Sequence, residues 1–284
     1  MYLEMVHYYF LKKLINALPE NISSAITLDD KKLFYYANML SMDKYFNSFS
    51  LRRDKSKLGE KINNDFNTFY TNLLITLSEK NSVDLLIFAY SILSYKILDD
   101  YIMQYINIFK PYKMNIFTAK NMLDSYVFKK LYDKDLYKTS YYKQFGNFIY
   151  DIDIDKIMKP SFIKSYKVTA FSPYYERCNK KRNRVFKSSK NIIVRLLVIF
   201  LDIFRKNKRY KNYYFKKKFD NNLLNLDHNE YTINEQKLNY TFEELLDYLT
   251  TIMLDNTKMI NDYLVDGNEK EIRKYLDIPL DKKL

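Results

Sequence analysis

Chain breakers are almost missing from this sequence, which has 3 Gly and 5 Pro in 284 residues. Tight turns draw on Gly for positive φ and on Pro for a preset φ. A sheet-rich fold with many hairpins would therefore lack turn chemistry here. The same scarcity argues against a Gly-rich loop cradling phosphate. An all-α fold is expected. Its strongest helical segment is residues 85–106, LLIFAYSILSYKILDDYIMQYI. Leu86, Ile87, Tyr90, Leu93, Ile97 and Tyr101 recur in three- and four-residue steps, the pattern of a helix burying most of its circumference. About 22 residues span roughly 33 Å, enough to cross a domain of this size. Asp99 and Asp100 stand in its middle, and a carboxylate on a buried face requires a cation, a donor or a metal. Tyr95, Asp99 and Met103 lie four residues apart and share one stripe. That stripe is where chemistry is expected.

Composition narrows the function classes. The length suits one large domain or two small ones, and a single domain over 1–284 is expected. Cys178 is the only cysteine, which excludes an intramolecular disulfide framework and a Cys-rich zinc site. His7 and His228 are the only histidines, so a His-rich metal cluster is nearly excluded as well. The N-terminal apolar run carries Glu4 and is followed, not preceded, by its basic pair, so it does not read as a signal peptide. The apolar run 192–204 contains Arg195 and Asp202 and is too short to span a bilayer. A soluble cytoplasmic protein is expected, able to attach peripherally to the inner face of a membrane.

Along the chain, residues 2–17 read as an amphipathic helix stopped by Pro19. Residues 28–49 mix helical turns with loop. Residues 58–77 and 83–109 form a helix pair joined by a short polar turn, and Pro111 ends the second. Residues 118–132 form another helix with Thr118 as its N-cap. Between 137 and 173 the periodicity weakens, and Pro160 and Pro173 punctuate a segment expected to be a connector or a strand. Asp151, Asp153 and Asp155 alternate there, but the Gly and terminal Glu of a calcium loop are missing. Residues 240–265 form a long helix opened by a capping box of Thr241 and Glu244 and closed by Gly267. No internal repeat is evident.

Charge is concentrated in one place. Residues 159–218 hold 19 Lys and Arg against two acids, Glu176 and Asp202, whereas residues 219–284 are net acidic. Two basic clusters flank the apolar run. The first includes Arg177, Lys180, Lys181, Arg182 and Arg184; the second includes Lys206, Lys208, Arg209, Lys216, Lys217 and Lys218. This arrangement suits an anionic surface, either phospholipid headgroups or nucleic acid. Tyr and Phe interleaved with Lys in KRYKNYYF suit base stacking. The plainer reading is a helical hairpin whose Lys face meets only water, with the aromatics in the core.

Several pieces, in order, resemble the zinc-dependent phospholipase C family of bacteria. They are HYYFLKKLINALPENI at the start, KLFYYANMLSMDKYF, LGEKINNDFNTFY, SYKILDDYIMQYI, and LLNLDHNEYTINEQ before the last long helix. The likeness covers most of the chain and is weakest over 137–190. The resemblance implies a single all-α bundle of the phospholipase C and P1 nuclease type. It also implies a site where up to three zinc ions hydrolyse phosphodiesters by activating water and clamping the phosphoryl oxygens. Carried over, His7, Asp43 and Asp99 stand at metal-ligand positions. Asn63, Tyr95, Met103, Ile116 and Lys120 stand where the family's other ligands would be. What is left suits at most one zinc ion, and Lys120, if directed inward, would neutralise Asp99 without any metal. The resemblance thus implies a metal-depleted pseudoenzyme binding anionic phospholipid surfaces. The alternatives are a residual single-metal phosphodiesterase acting on phospholipid headgroups and a helical nucleic-acid-binding module. The plain account of His7 is a hydrogen-bonded histidine between elements.

Overall fold

A computed structural model describes residues 3–41, 62, 64–80, 82–136, 139, 141–167, 171–188 and 219–266. Asp43, Asn63, Lys206, Lys208, Arg209, Lys216, Lys217, Lys218, Gly267 and the apolar run 192–204 lie outside the described residues. The described part is predominantly helical. We number its helices α1 (Glu4–Ala17), α2 (Glu20–Ser23), α3 (Asp30–Ala37), α4 (Phe66–Ser78), α5 (Val83–Phe109), α6 (Ile116–Tyr132), α7 (Tyr141–Phe145), α8 (Ile152–Tyr166), α9 (Phe171–Ser188) and α10 (Phe242–Asp266). Among the described residues, none of these is long and apolar enough to cross a membrane.

The N-terminal helix is the hub. It packs on α3, α5, α6 and α10, and Met5, Val6, Tyr8, Phe10, Leu11 and Leu14 are all buried. Pro19 holds Leu18 extended, as a residue before proline prefers, and so ends α1. The expected central helix, α5, runs from Val83 to Phe109, and Ser82 and Lys110 flank it in extended backbone. Aromatic rings do much of the packing. Phe34 stacks on Phe145 with centroids 3.8 Å apart, and Phe66 stacks on Tyr70. The buried Tyr70 hydroxyl donates to the Ala89 carbonyl, tying α4 to α5. The expected capping box closes reciprocally at α10: Glu244 N–H donates to Thr241 Oγ1 at 3.2 Å, and Thr241 N–H to Glu244 Oε2 at 2.8 Å.

Three local expectations are corrected. The helix expected at 118–132 begins at Ile116, because the cap is Asn115, whose Oδ1 accepts the Phe117 N–H. The segment expected to be a connector or strand contains α8, a 15-residue helix with Pro160 inside it. Asp151 is its N-cap, accepting the N–H groups of Asp153 and Ile154, and Asp153 and Asp155 occupy the positive first turn. The alternating carboxylates are therefore a helix start rather than a calcium loop. Finally, a small antiparallel hairpin, β1 (Tyr231–Ile233) with β2 (Gln236–Leu238), stands in the otherwise helical fold. Asn234 and Glu235 both adopt positive φ, the backbone of a two-residue hairpin turn made without glycine.

Candidate functional site

The α1–α5 contact brings together two of the residues singled out by the sequence. His7 is 2% exposed, and its Nε2 lies 3.9 Å from Asp99 Oδ1. Tyr95, one turn before Asp99, lays its ring flat on the imidazole, with centroids 4.0 Å apart and planes 11° from parallel. Tyr95 and Asp99 both come from the stripe on α5 that was expected to hold chemistry. Met103, on the same stripe, is half-buried, as is Ile116 at the start of α6. Lys120 is buried at 6% exposure, so it faces inward.

The central carboxylates are less enclosed than expected. The Asp99 side chain keeps 28% of its surface, and Asp100 is partly exposed. Burial raises the Asp100 pKa, while Lys96, with Nζ at 2.8 Å, opposes that shift. Neither is a fully buried charge in need of a metal.

A denser polar centre lies one turn earlier on α1, and the sequence reading did not single it out. Leu3 stands at the N-cap position with φ 64°, a left-handed backbone that bulky side chains avoid, and offers no cap. The carboxyl group of Asp124 on α6 takes that part. Its Oδ1 accepts the N–H of Met5 at 2.9 Å and of Val6 at 3.2 Å, and its Oδ2 accepts the Tyr141 hydroxyl at 2.9 Å. Asp124 and Glu4 are both fully buried. Burial, and then the neighbouring Glu4, push the Asp124 carboxyl well above the usual carboxylate range. A carboxyl pair can serve acid–base chemistry, but this one is sealed from solvent, and the Asp124 oxygens are engaged by backbone and phenol. Its work is structural. A spacing signal did exist: Lys120, Asp124 and Phe128 recur every four residues on one buried stripe.

Zinc can be tested against the donors. A catalytic zinc ion takes three protein ligands with bonds of about 2.0–2.2 Å. Among the described residues, no group of three or more His, Cys, Asp and Glu is placed to hold a metal ion. His7 and Asp99 supply two donors, and the Tyr95 ring covers one face of the imidazole. Met103 offers a soft thioether and Lys120 a positive charge, neither of which suits zinc. The described residues do not fit a zinc site.

The first basic cluster divides by helical phase. Arg177, Lys180 and Arg184 are exposed on one stripe of α9, and Lys181 is half-buried beside them. Lys180 pairs with Glu176 at 2.6 Å, and Arg177 Nε donates to the Pro173 carbonyl. Arg182 corrects its assignment to a surface. It is fully buried, with its guanidinium 3.8 Å from the centroid of the Phe148 ring. Tyr175, Cys178 and Arg182 share the inward stripe of the helix at steps of three and four.

No protein-family model, curated protein or solved structure matches the chain.

Proposed function

We propose that this chain is a metal-depleted relative of the zinc-dependent phospholipase C type that acts as a non-catalytic, peripheral binder of anionic phospholipid surfaces through residues 159–218. One observation carries the pseudoenzyme half: the Tyr95 ring lies on His7 where the resemblance would place a second ligand. A stacked phenol turns a ligand position into packing and leaves His7 and Asp99 as a pair. The exposed stripe of Arg177, Lys180 and Arg184 supports the surface half, since basic side chains near an anionic bilayer each contribute about 1 kcal/mol.

The full chain is tested in two measurements. Purified protein, dialysed and then offered zinc, is expected to retain less than one ion per chain. Sedimentation with phosphatidylserine vesicles is expected to be strong at low salt and to fade as ionic strength rises. Equal binding to neutral and acidic vesicles would sink the surface reading. Stoichiometric zinc together with phosphodiester hydrolysis would instead establish the residual single-metal enzyme, with Asp43 as the third donor. Salt-dependent capture of single-stranded nucleic acid without lipid binding would establish the helical nucleic-acid module.

A further inference from the structure

A cleft of about 230 Å³ opens between α3 and the 145–151 loop, away from His7 and Asp99. Its lining combines ring surface from Tyr35, Phe145 and Phe148 and the side chain of Ile149 with Lys31, Lys32, Asp29 and Asp151 at the mouth. Such a mix, largely apolar with a few polar groups, is the usual make-up of a small-molecule site.

The cleft is held in shape from behind. The Asn183 side chain grips the backbone of Phe148 on both sides, its Oδ1 accepting the N–H at 2.7 Å and its Nδ2 donating to the carbonyl at 2.6 Å. Asn179 Nδ2 donates to the Tyr35 hydroxyl at 3.0 Å. The Arg182 guanidinium stacks on Phe148. Three side chains of α9 therefore fix an irregular loop that has little regular structure of its own. Gly146, one of the chain's three glycines, sits at φ 72° in that loop. A Cβ there would lie 3.9 Å from Lys31 Nζ, an ordinary van der Waals contact, so the left-handed backbone rather than lack of space favours glycine.

The two lysines and two aspartates at the mouth balance in number but differ in their engagements. The Asp29 carboxylate is used as the cap of α3, accepting the Lys32 N–H at 2.7 Å. Asp151 caps α8 and faces Lys32 Nζ at 3.6 Å. Among the described residues, no carboxylate lies within ion-pairing distance of Lys31. Among the described residues, Lys31 is thus a cation of the mouth with no carboxylate in ion-pairing range, beside an aromatic and aliphatic wall.

We propose that this cleft binds a compact anion with a planar apolar body, of the aromatic carboxylate class, with the ring against Phe148, Tyr35 and Ile149 and the carboxylate towards Lys31. The cleft is smaller than the roughly 300–1,000 Å³ that drug-sized ligands occupy, which limits the body to one or two rings.

The probe is 2-naphthoate, followed by its fluorescence polarisation on titration with the full chain, with neutral 2-naphthalenemethanol as control. Lys31 and Ile149 are exposed, so Lys31→Met and Ile149→Glu are expected to fold; thermal melts check this. Saturable, single-site binding of naphthoate is expected, weaker by about fivefold in Lys31→Met and lost in Ile149→Glu, where a carboxylate replaces apolar wall. The neutral alcohol is expected to bind wild type and Lys31→Met alike. Absence of saturable naphthoate binding overturns the proposal, and so does equal naphthoate affinity across wild type and both variants.

Discussion

Replacing Asp124 separates two roles that its carboxyl combines. In Asp124→Ala, the N–H groups of Met5 and Val6 and the Tyr141 hydroxyl lose their acceptor in a region sealed from water. Each buried group left unsatisfied costs about 1–3 kcal/mol. Removing a carboxyl that is itself desolvated and crowded by Glu4 offsets part of this, leaving a net loss of about 3–5 kcal/mol. At roughly 2–4 °C per kcal/mol for a domain of this size, the melting temperature should fall by about 6–20 °C. Asp124→Asn keeps an oxygen for the two N–H groups and nearly the same volume, so it should cost about 1 kcal/mol. The pair also differs in pH dependence. The folded-state pKa of Asp124 is raised above its ordinary 3.8, so the folded chain holds a proton that the unfolded chain has released. Stability then declines as pH rises from about 3.8 through the folded value, and below that window there is no loss. Asp124→Asn should remove this decline. Urea unfolding of the three proteins, repeated at several pH values from 4 upward, reads both effects. An Asn variant as unstable as the Ala variant, with the wild-type slope intact, would refute the remote-cap account.

Two further substitutions test the other assignments. Asp99→Ala should change stability by no more than about 1 kcal/mol, since the side chain is part-exposed and its contact to His7 is long; a loss of several kcal/mol that chelator reproduces in wild type would show a bound metal. Arg182→Ala should cost about 3 kcal/mol, because it empties a buried site beneath Phe148, whereas Arg177→Ala should stay within about 0.5 kcal/mol; thermal melts compare them.

What could be read in advance followed the reach of the signal. The 3.6-residue period over α5 and the Thr241–Glu244 box are local patterns, and both elements formed where expected. The α8 helix was obscured because Pro160 and alternating Asp residues imitate a broken segment. Asp151 instead starts a helix by capping it, and packing on α4 outweighs the one N–H that proline lacks. The hairpin escaped notice because its turn uses Asn234 and Glu235 at positive φ rather than glycine. Arg182 reads as one of a charged cluster by composition, although its phase with Tyr175 and Cys178 places it inward. The Asp124 cap is hardest to foresee, since more than a hundred residues separate it from the helix it completes. Tyr95 and Asp99 share a stripe readable from helical spacing, whereas no local pattern ties His7 on α1 to them.

The tyrosine-rich core has a consequence for observing the protein. With no Trp in the sequence, optical signals from the folded chain come from phenols. Burial raises the ionisation of Tyr70, Tyr90 and Tyr105 above the ordinary value of 10.0. The folded chain keeps these phenols neutral in alkaline solution where the unfolded chain ionises them, so stability is lost as pH climbs past about 10. After a jump to such a pH, their phenolate absorbance can develop only as fast as the helices part. The rings that fill the interior thus act as built-in clocks for its opening, needing no label.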